Sequence, residues 1–240
     1  MNYMMAPLER HFDYGFGATG DAFHGAAQAL EKHQGENGVF FFEHLPINFL
    51  LRHAVELYLK SGIIIIHRRL GIPFDTEPPD SAPMVKTGNK WKPIDKIHSI
   101  ATLFSYWNEL VVSNVSALDS VAKVPGDWAI SPELCEAINM IEQTDSGGTY
   151  YRYPLTKEGR ADAEKSPFKE ITSFEDLFPS KPSEGKAVMA LVIENEEGEF
   201  VRAFSKDDNT ETEQSKALSL AAMHLHNFHA MTRFILTDTW

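Results

Sequence analysis

A single cysteine, Cys135, stands among the 240 residues. One thiol cannot close a disulfide within the chain, so no disulfide framework is expected. Long apolar runs are missing as well. The most compact, the isoleucines at 63–66, falls far short of the roughly 20 residues that span a bilayer. Residues 1–14 carry Glu9, Arg10, His11 and Asp13 and lack the apolar stretch of about 7–15 residues that makes a signal peptide. A cytoplasmic protein without a membrane partner is the expectation. Positive charge is scarce, with 22 Lys and Arg against 34 Asp and Glu and a net charge of −12. A chain this acidic repels a phosphate backbone unless its basic residues cluster, which excludes general DNA binding. No phosphate loop of the Walker type, G-x-G-x-x-G turn, C-x-x-C pair or G-x-S-x-G elbow occurs, so no cofactor is expected.

What is present is an ordinary soluble composition, 43% hydrophobic and 23% charged, ample for a core. Caps and helical periodicity predict helices over residues 21–33, with Thr19 or Asp21 as cap, and over 47–70, opened by Pro46 and closed by Gly71 and Pro73. A further stretch runs over 94–121, broken near Ser113. Ser131-Pro132-Glu133 starts a helix that runs to Asp145 and stops at Gly147-Gly148. The last helix covers 211–236, with Thr210 and Glu213 as a capping box. Prolines 78, 79 and 83 and Gly88 mark residues 73–93 as a loop. Residues 150–182 read as irregular apart from a helical turn at 174–178. Residues 188–194 and 199–204 read as a β-hairpin around Asn195-Glu196-Glu197-Gly198. The fold class expected is mainly α. It is a helical bundle of one domain over 1–240, with a loop and small β-hairpin inserted at about 150–210.

On a helical wheel, apolar residues cover some two-thirds of the 47–70 helix, and Arg52, His53, Glu56, Lys60 and His67 share the rest. Arg52, Glu56 and Lys60 follow at i, i+4 and i+8, so one carboxylate can bridge both cations. That stripe is either a solvated seam or a partly enclosed polar site. His98 falls a few residues into the next helix, on its polar margin with Asp95 and Thr102. In the last helix, His226 and His229 share a face with Arg233, taken as the solvent face, while His224 points toward the core. Two histidines on one face are fewer than the three or four ligands of a zinc site, so no metal is expected. Cys135 reads as a small buried hydrophobe. Residues 145–154 combine Asp145, Gly147, Gly148, Tyr150, Tyr151, Arg152, Tyr153 and Pro154. Arg152 suits a phosphate or carboxylate and the tyrosines suit stacking on a base. Equally, the tyrosines could pack the loop against the bundle and Arg152 could pair with an acid such as Glu56.

Residues 48–60 (NFLLRHAVELYLK), Lys96-Ile97-His98 with Leu103, then Asp145-Ser146 and Tyr151-Arg152-Tyr153-Pro154 resemble the HEPN superfamily, helical bundles named for occurrence in higher eukaryotes and prokaryotes and for nucleotide binding. The resemblance covers roughly residues 45–154 and the last helix. It implies a homodimer formed through apolar helix faces and a nucleotide or RNA as partner, in stress response or phage defence. Many members are metal-independent endoribonucleases carrying an Arg, four to six residues, then a His. No arginine here has a histidine at that spacing, and the last helix offers His229-x-x-x-Arg233 in reversed order. The expected site is therefore a ligand-binding cleft of Arg52, Glu56, Lys60, His98, Arg152 and Tyr153, in which cleavage would have to recruit His98 and Arg152. The alternatives are an interaction or scaffold protein whose stripe is merely solvated, and a hydrolase built on a histidine-centred site.

Overall fold

A computed structural model describes residues 6–33, 42–157, 159–171, 190–206 and 213–237. The long helix α2 (His44–Leu70) is buried around almost its whole circumference from Ile47 to His67, as an apolar arc of two-thirds requires. It ends where Gly71 turns left-handed at φ 67° and donates its N–H to the His67 carbonyl. Helix α1 (Phe16–His33) packs along it. α1 starts five residues before the predicted Asp21, because the Asp13 carboxylate accepts the N–H groups of Gly15 (3.1 Å) and Gly17 (2.7 Å) and so caps the first turn.

Residues 73–93 are not the plain loop expected. They include an antiparallel hairpin, β1 (Met84–Thr87) and β2 (Lys90–Pro93), paired from Met84↔Pro93 to Thr87↔Lys90 around Gly88-Asn89. Val85 is fully buried there. The prolines forbid a helix, but a four-residue strand fits between Pro83 and the turn.

The predicted 94–121 helix is also divided. A 3-10 turn (Ile94–Lys96) gives way to extended Ile97. Ser99 then caps α3 (Ile100–Ser113) by accepting the Thr102 N–H. The break falls at Asn114, close to the expected Ser113, before α4 (Val115–Val121). His98 thus lies on an extended linker ahead of the cap rather than inside a helix.

α5 (Pro132–Asp145) starts as predicted, with Ser131 accepting the Leu134 N–H at 3.1 Å. Within the region read as irregular, α6 (Gly159–Glu164) and the strand β3 (Phe168–Ile171) form. β3 pairs antiparallel with β5 (Phe200–Lys206), which also pairs with β4 (Ala190–Glu194). The predicted hairpin is therefore two strands of a three-stranded sheet in the order β3-β5-β4. The turn expected at 174–178, the start of the predicted strand at 188–189 and the Thr210 cap lie outside the described residues. α7 (Glu213–Leu236) closes the bundle against α2 and α5. The fold is mainly α, with two small sheets where one hairpin was expected. Among the described residues, no helix is long and apolar enough to cross a membrane. Cys135 is half-buried.

Candidate functional site

One turn of helix separates Arg52 from Glu56 and Glu56 from Lys60, so all three leave α2 on the same side. That stripe is not a solvated seam. Arg52 is 4% exposed, Glu56 3% and Lys60 3%, and burial at this level is tolerable only when charges are paired and hydrogen-bonded. Glu56 supplies the pairing. Its Oε1 lies 2.7 Å from Lys60 Nζ and its Oε2 3.3 Å from Arg52 Nη1. Arg52 also forms an ion pair from Nε to Asp145 Oδ2 at 2.8 Å, and its Nη2 donates to the carbonyls of His98 (2.8 Å) and Asp145 (3.2 Å). The guanidinium is a staple joining α2, the linker before α3 and the C-terminus of α5.

The other Asp145 oxygen accepts the N–H groups of Thr149 (2.8 Å) and Tyr150 (3.1 Å), which folds the chain back after α5. Gly148, at φ +73°, passes so close that a Cβ would sit 2.9 Å from Arg52 Nη1; only glycine satisfies both demands. Burial alone would raise the Glu56 pKa. The charge and hydrogen bond of Lys60, the hydrogen bond from His98 and the charge of Arg52 outweigh that and hold it below the usual carboxylate range.

His98 is the outlet of this network. Its Nδ1 lies 3.1 Å from Glu56 Oε1 while its side chain is 55% exposed. Donation of Nδ1–H to a carboxylate leaves the lone pair of the neutral ring on Nε2. Arg152 is exposed and spreads over the Phe49 ring, 5.7 Å from its centroid. It makes no pair with Glu56 among the described contacts, so that alternative is not realised. The tyrosines divide. Tyr150 and Tyr151 are buried edge-to-face, 4.9 Å apart, with Lys165 Nζ 4.4 Å above Tyr150, whereas Tyr153 is exposed.

Of the six predicted residues, Arg52, Glu56 and Lys60 are buried and His98, Arg152 and Tyr153 are exposed. Sequence reasoning missed the β1–β2 hairpin that leads into His98. Lys86, Lys90 and Lys92 on it are exposed, and residues 84–98 hold four lysines against one acidic residue, Asp95. By the strand register Lys90 and Lys92 share one face of the hairpin and Lys86 lies on the other.

The chain matches no protein-family model, no curated protein and no solved structure. The site is read on its own chemistry.

A second polar cluster, also missed, lies where α1, α2 and α7 meet. Asp13 Oδ2 accepts from Ser61 Oγ at 2.5 Å, and Ser61 Oγ lies 3.1 Å from His229 Nδ1. Beside it, the Tyr58 hydroxyl donates to Asp21 at 2.9 Å, and His226 Nδ1 lies 3.1 Å from that hydroxyl and 3.0 Å from the same carboxylate. Its sequence signal is a pair of polar residues three apart on each helix: Asp21 and His24, Tyr58 and Ser61, His226 and His229.

The solvent-face reading of His229 is corrected, for it is only 2% exposed. His229 belongs to the buried residues of α7, with Leu218, Ala221, Ala222, Leu225, Thr232 and Leu236, and meets Ser61 of α2. His226 and Arg233 are half-buried on its flank, and His224 is half-buried rather than a core residue.

The cluster has the composition of a nucleophile, a base and an acid, yet Ser61 has no exposed surface. A Cβ on Gly17 would lie 2.0 Å from the His229 ring, so a substrate has no room beside it. Burial lowers the His229 pKa and keeps the ring neutral, against the opposing charges of Asp13 and Asp21 and with a smaller lowering from Arg233 and His226. His67, counted with the polar stripe, is likewise a core residue, between Phe74 (ring centroids 4.1 Å) and the Tyr106 hydroxyl at 2.8 Å. Among the described residues, no three His, Cys, Asp or Glu side chains are placed to hold a metal ion.

Proposed function

We propose that this chain binds a nucleotide or the phosphate of an RNA strand at the rim formed by His98, Arg152 and Tyr153, with Arg52, Glu56 and Lys60 as its buried support. The observation that carries this reading is the half-exposed His98 imidazole held on a buried, ionised Glu56 at 3.1 Å. A carboxylate behind Nδ1 orients the ring and makes Nε2 a proton acceptor, or a donor once protonated. Arg152 adds a bidentate partner for phosphate, Tyr153 an open stacking face, and the lysines of the hairpin a path for a backbone. An imidazole so placed can also move a proton, so metal-independent endoribonuclease activity is the catalytic form of the same reading. Cytoplasmic residence goes with it.

The test is a fluorescent RNA 20-mer titrated into the protein at low salt, with strand integrity followed on gels with and without chelator. Wild type is expected to bind, and His98→Ala and Arg152→Ala each to weaken binding by about tenfold. Cleavage that persists in chelator and disappears in His98→Ala marks the catalytic form. Absence of binding by wild type overturns the proposal. A second reading, an interaction or scaffold protein acting as a homodimer, draws on the exposed Leu191, Ile193, Phe200 and Val201 of β4 and β5; light scattering of the purified chain tests it.

A further inference from the structure

We propose that α1 is a clasp released by protons: when the His24–His226 pair takes up a second proton, α1 lets go of α2 and α7 while the rest of the bundle stays folded. Three helices build the pair. His24 on α1 and His226 on α7 meet edge-to-face with ring centroids 5.4 Å apart. One carboxylate serves them, that of Asp21. Its Oδ1 lies 3.0 Å from His226 Nδ1 and accepts the Tyr58 hydroxyl of α2 at 2.9 Å. His24 Nδ1 lies 3.4 Å from the same hydroxyl, and its Nε2 lies 3.3 Å from the Gln28 amide nitrogen.

A proton does different things to the two rings. The His226 side chain is 42% exposed and touches Asp21, so its imidazolium completes an ion pair that holds α1 to α7. His24 is only 6% exposed and, among the described residues, has no acid in contact. Burial first and His226 second lower its pKa from 6.5, with Asp21 opposing them. Once His226 has matched Asp21, a second imidazolium is a buried, unpaired charge beside a like one, which folded interiors tolerate poorly. The remaining neighbours do not offset it. Arg233 and His229 of α7 bring positive charge or none. Asp13 is engaged by Ser61 and by the N–H groups of Gly15 and Gly17, and Tyr58 and Ser61 offer hydroxyls. Glu31, near the end of α1, is exposed and accepts from Ser219 at 3.3 Å.

α1 is the element able to respond. Its buried residues are Gly17, Ala18, Gly20, His24 and Ala27, and Phe16 and Phe23 are only half-buried. Small side chains therefore anchor it, and little apolar area opposes its release. Because docking lowers the His24 pKa, released α1 binds more protons below pH 6.5, so acidification favours release.

Hydrogen exchange of the full chain, read by mass spectrometry at pH 7 and pH 5 and corrected for the intrinsic rate, tests the clasp. In the wild type, the amides of α1 are expected to lose about tenfold in protection at pH 5, while those of α2 and α5 keep theirs. His24→Gln, with no proton to take up, is expected to hold α1 protected at pH 5. His226→Gln is expected to do the same, because His24 then has the charge of Asp21 to itself. Asp21→Asn is expected to bring release to higher pH. Where His24→Gln is already loose at pH 7, the half-exposed His226→Gln decides. Protection of α1 that is equal at the two pH values, is lost together with that of α2 and α5, or is lost as fully in His226→Gln overturns the proposal.

Discussion

Two polar clusters hang on the same helix and solve burial differently. On one side of α2, Arg52, Glu56, Lys60 and Asp145 are buried as ions, each held by an opposite charge. On the other, His229, Ser61, Tyr58 and His226 are joined to Asp13 and Asp21 by hydrogen bonds, and the buried His229 is kept neutral. The first cluster opens to solvent through His98, and the second closes over Ser61. Ionised groups that support an exposed imidazole suit recognition of an anion, whereas a sealed neutral network fixes helix packing. The spacing on α2 singled out the first in the sequence, whereas the second, with His229 inside it, was missed.

The largest effect expected is from Glu56→Ala. It strands Lys60 and Arg52 as buried charges, and removing one partner of such a pair lowers stability by about 3–5 kcal/mol. Urea unfolding at pH 7 measures this, and a loss under about 1 kcal/mol would erase the distinction between the clusters.

Acidification separates them next. Burial, the leading cause in each case, lowers the pKa values of His24, His44, His53, His67 and His229 from 6.5. Below pH 6.5 the unfolded chain then binds more protons than the folded one, so stability falls as pH drops through that range. Glu56, lowered from 4.5, adds stability that is present above that pH and lost below it. Two descending steps are expected in stability against pH. His229→Asn shrinks the upper step and spares the lower, and one merged transition would contradict the assignment.

A smaller effect belongs to Gly17→Ala, whose Cβ would meet His229 at 2.0 Å. Such overpacking costs about 1–3 kcal/mol, read as a lower thermal midpoint. Arg152→Ala sharpens the contrast by doing least to the fold. On the exposed rim it changes stability by no more than about 0.5 kcal/mol, while weakening RNA binding in the titration described above.

Much of the fold was legible in local patterns. The caps at Ser131 and Gly71 are backbone chemistry confined to a few neighbours, and both ends fall where the residues place them. The apolar arc of α2 announced a central helix. The division of 94–121 was harder, because Ser99 is an ordinary serine until its hydroxyl meets the Thr102 N–H. β3 and the β1–β2 hairpin are four-residue strands whose order comes from partners, Lys206 to Ala203 for β3, so little periodicity could mark them.

By itself, then, the sequence determined a mainly α bundle around a helix too apolar to be anything but central, with a carboxylate spaced to bridge two cations. It could not determine which polar residues face water. That depends on which neighbour covers each arc of a helix. Only the tertiary structure placed Asp145 against Arg52, brought His98 to Glu56 from 42 residues away, and turned His229 inward. Contacts at such separations follow from how the helices pack, and no local spacing encodes them.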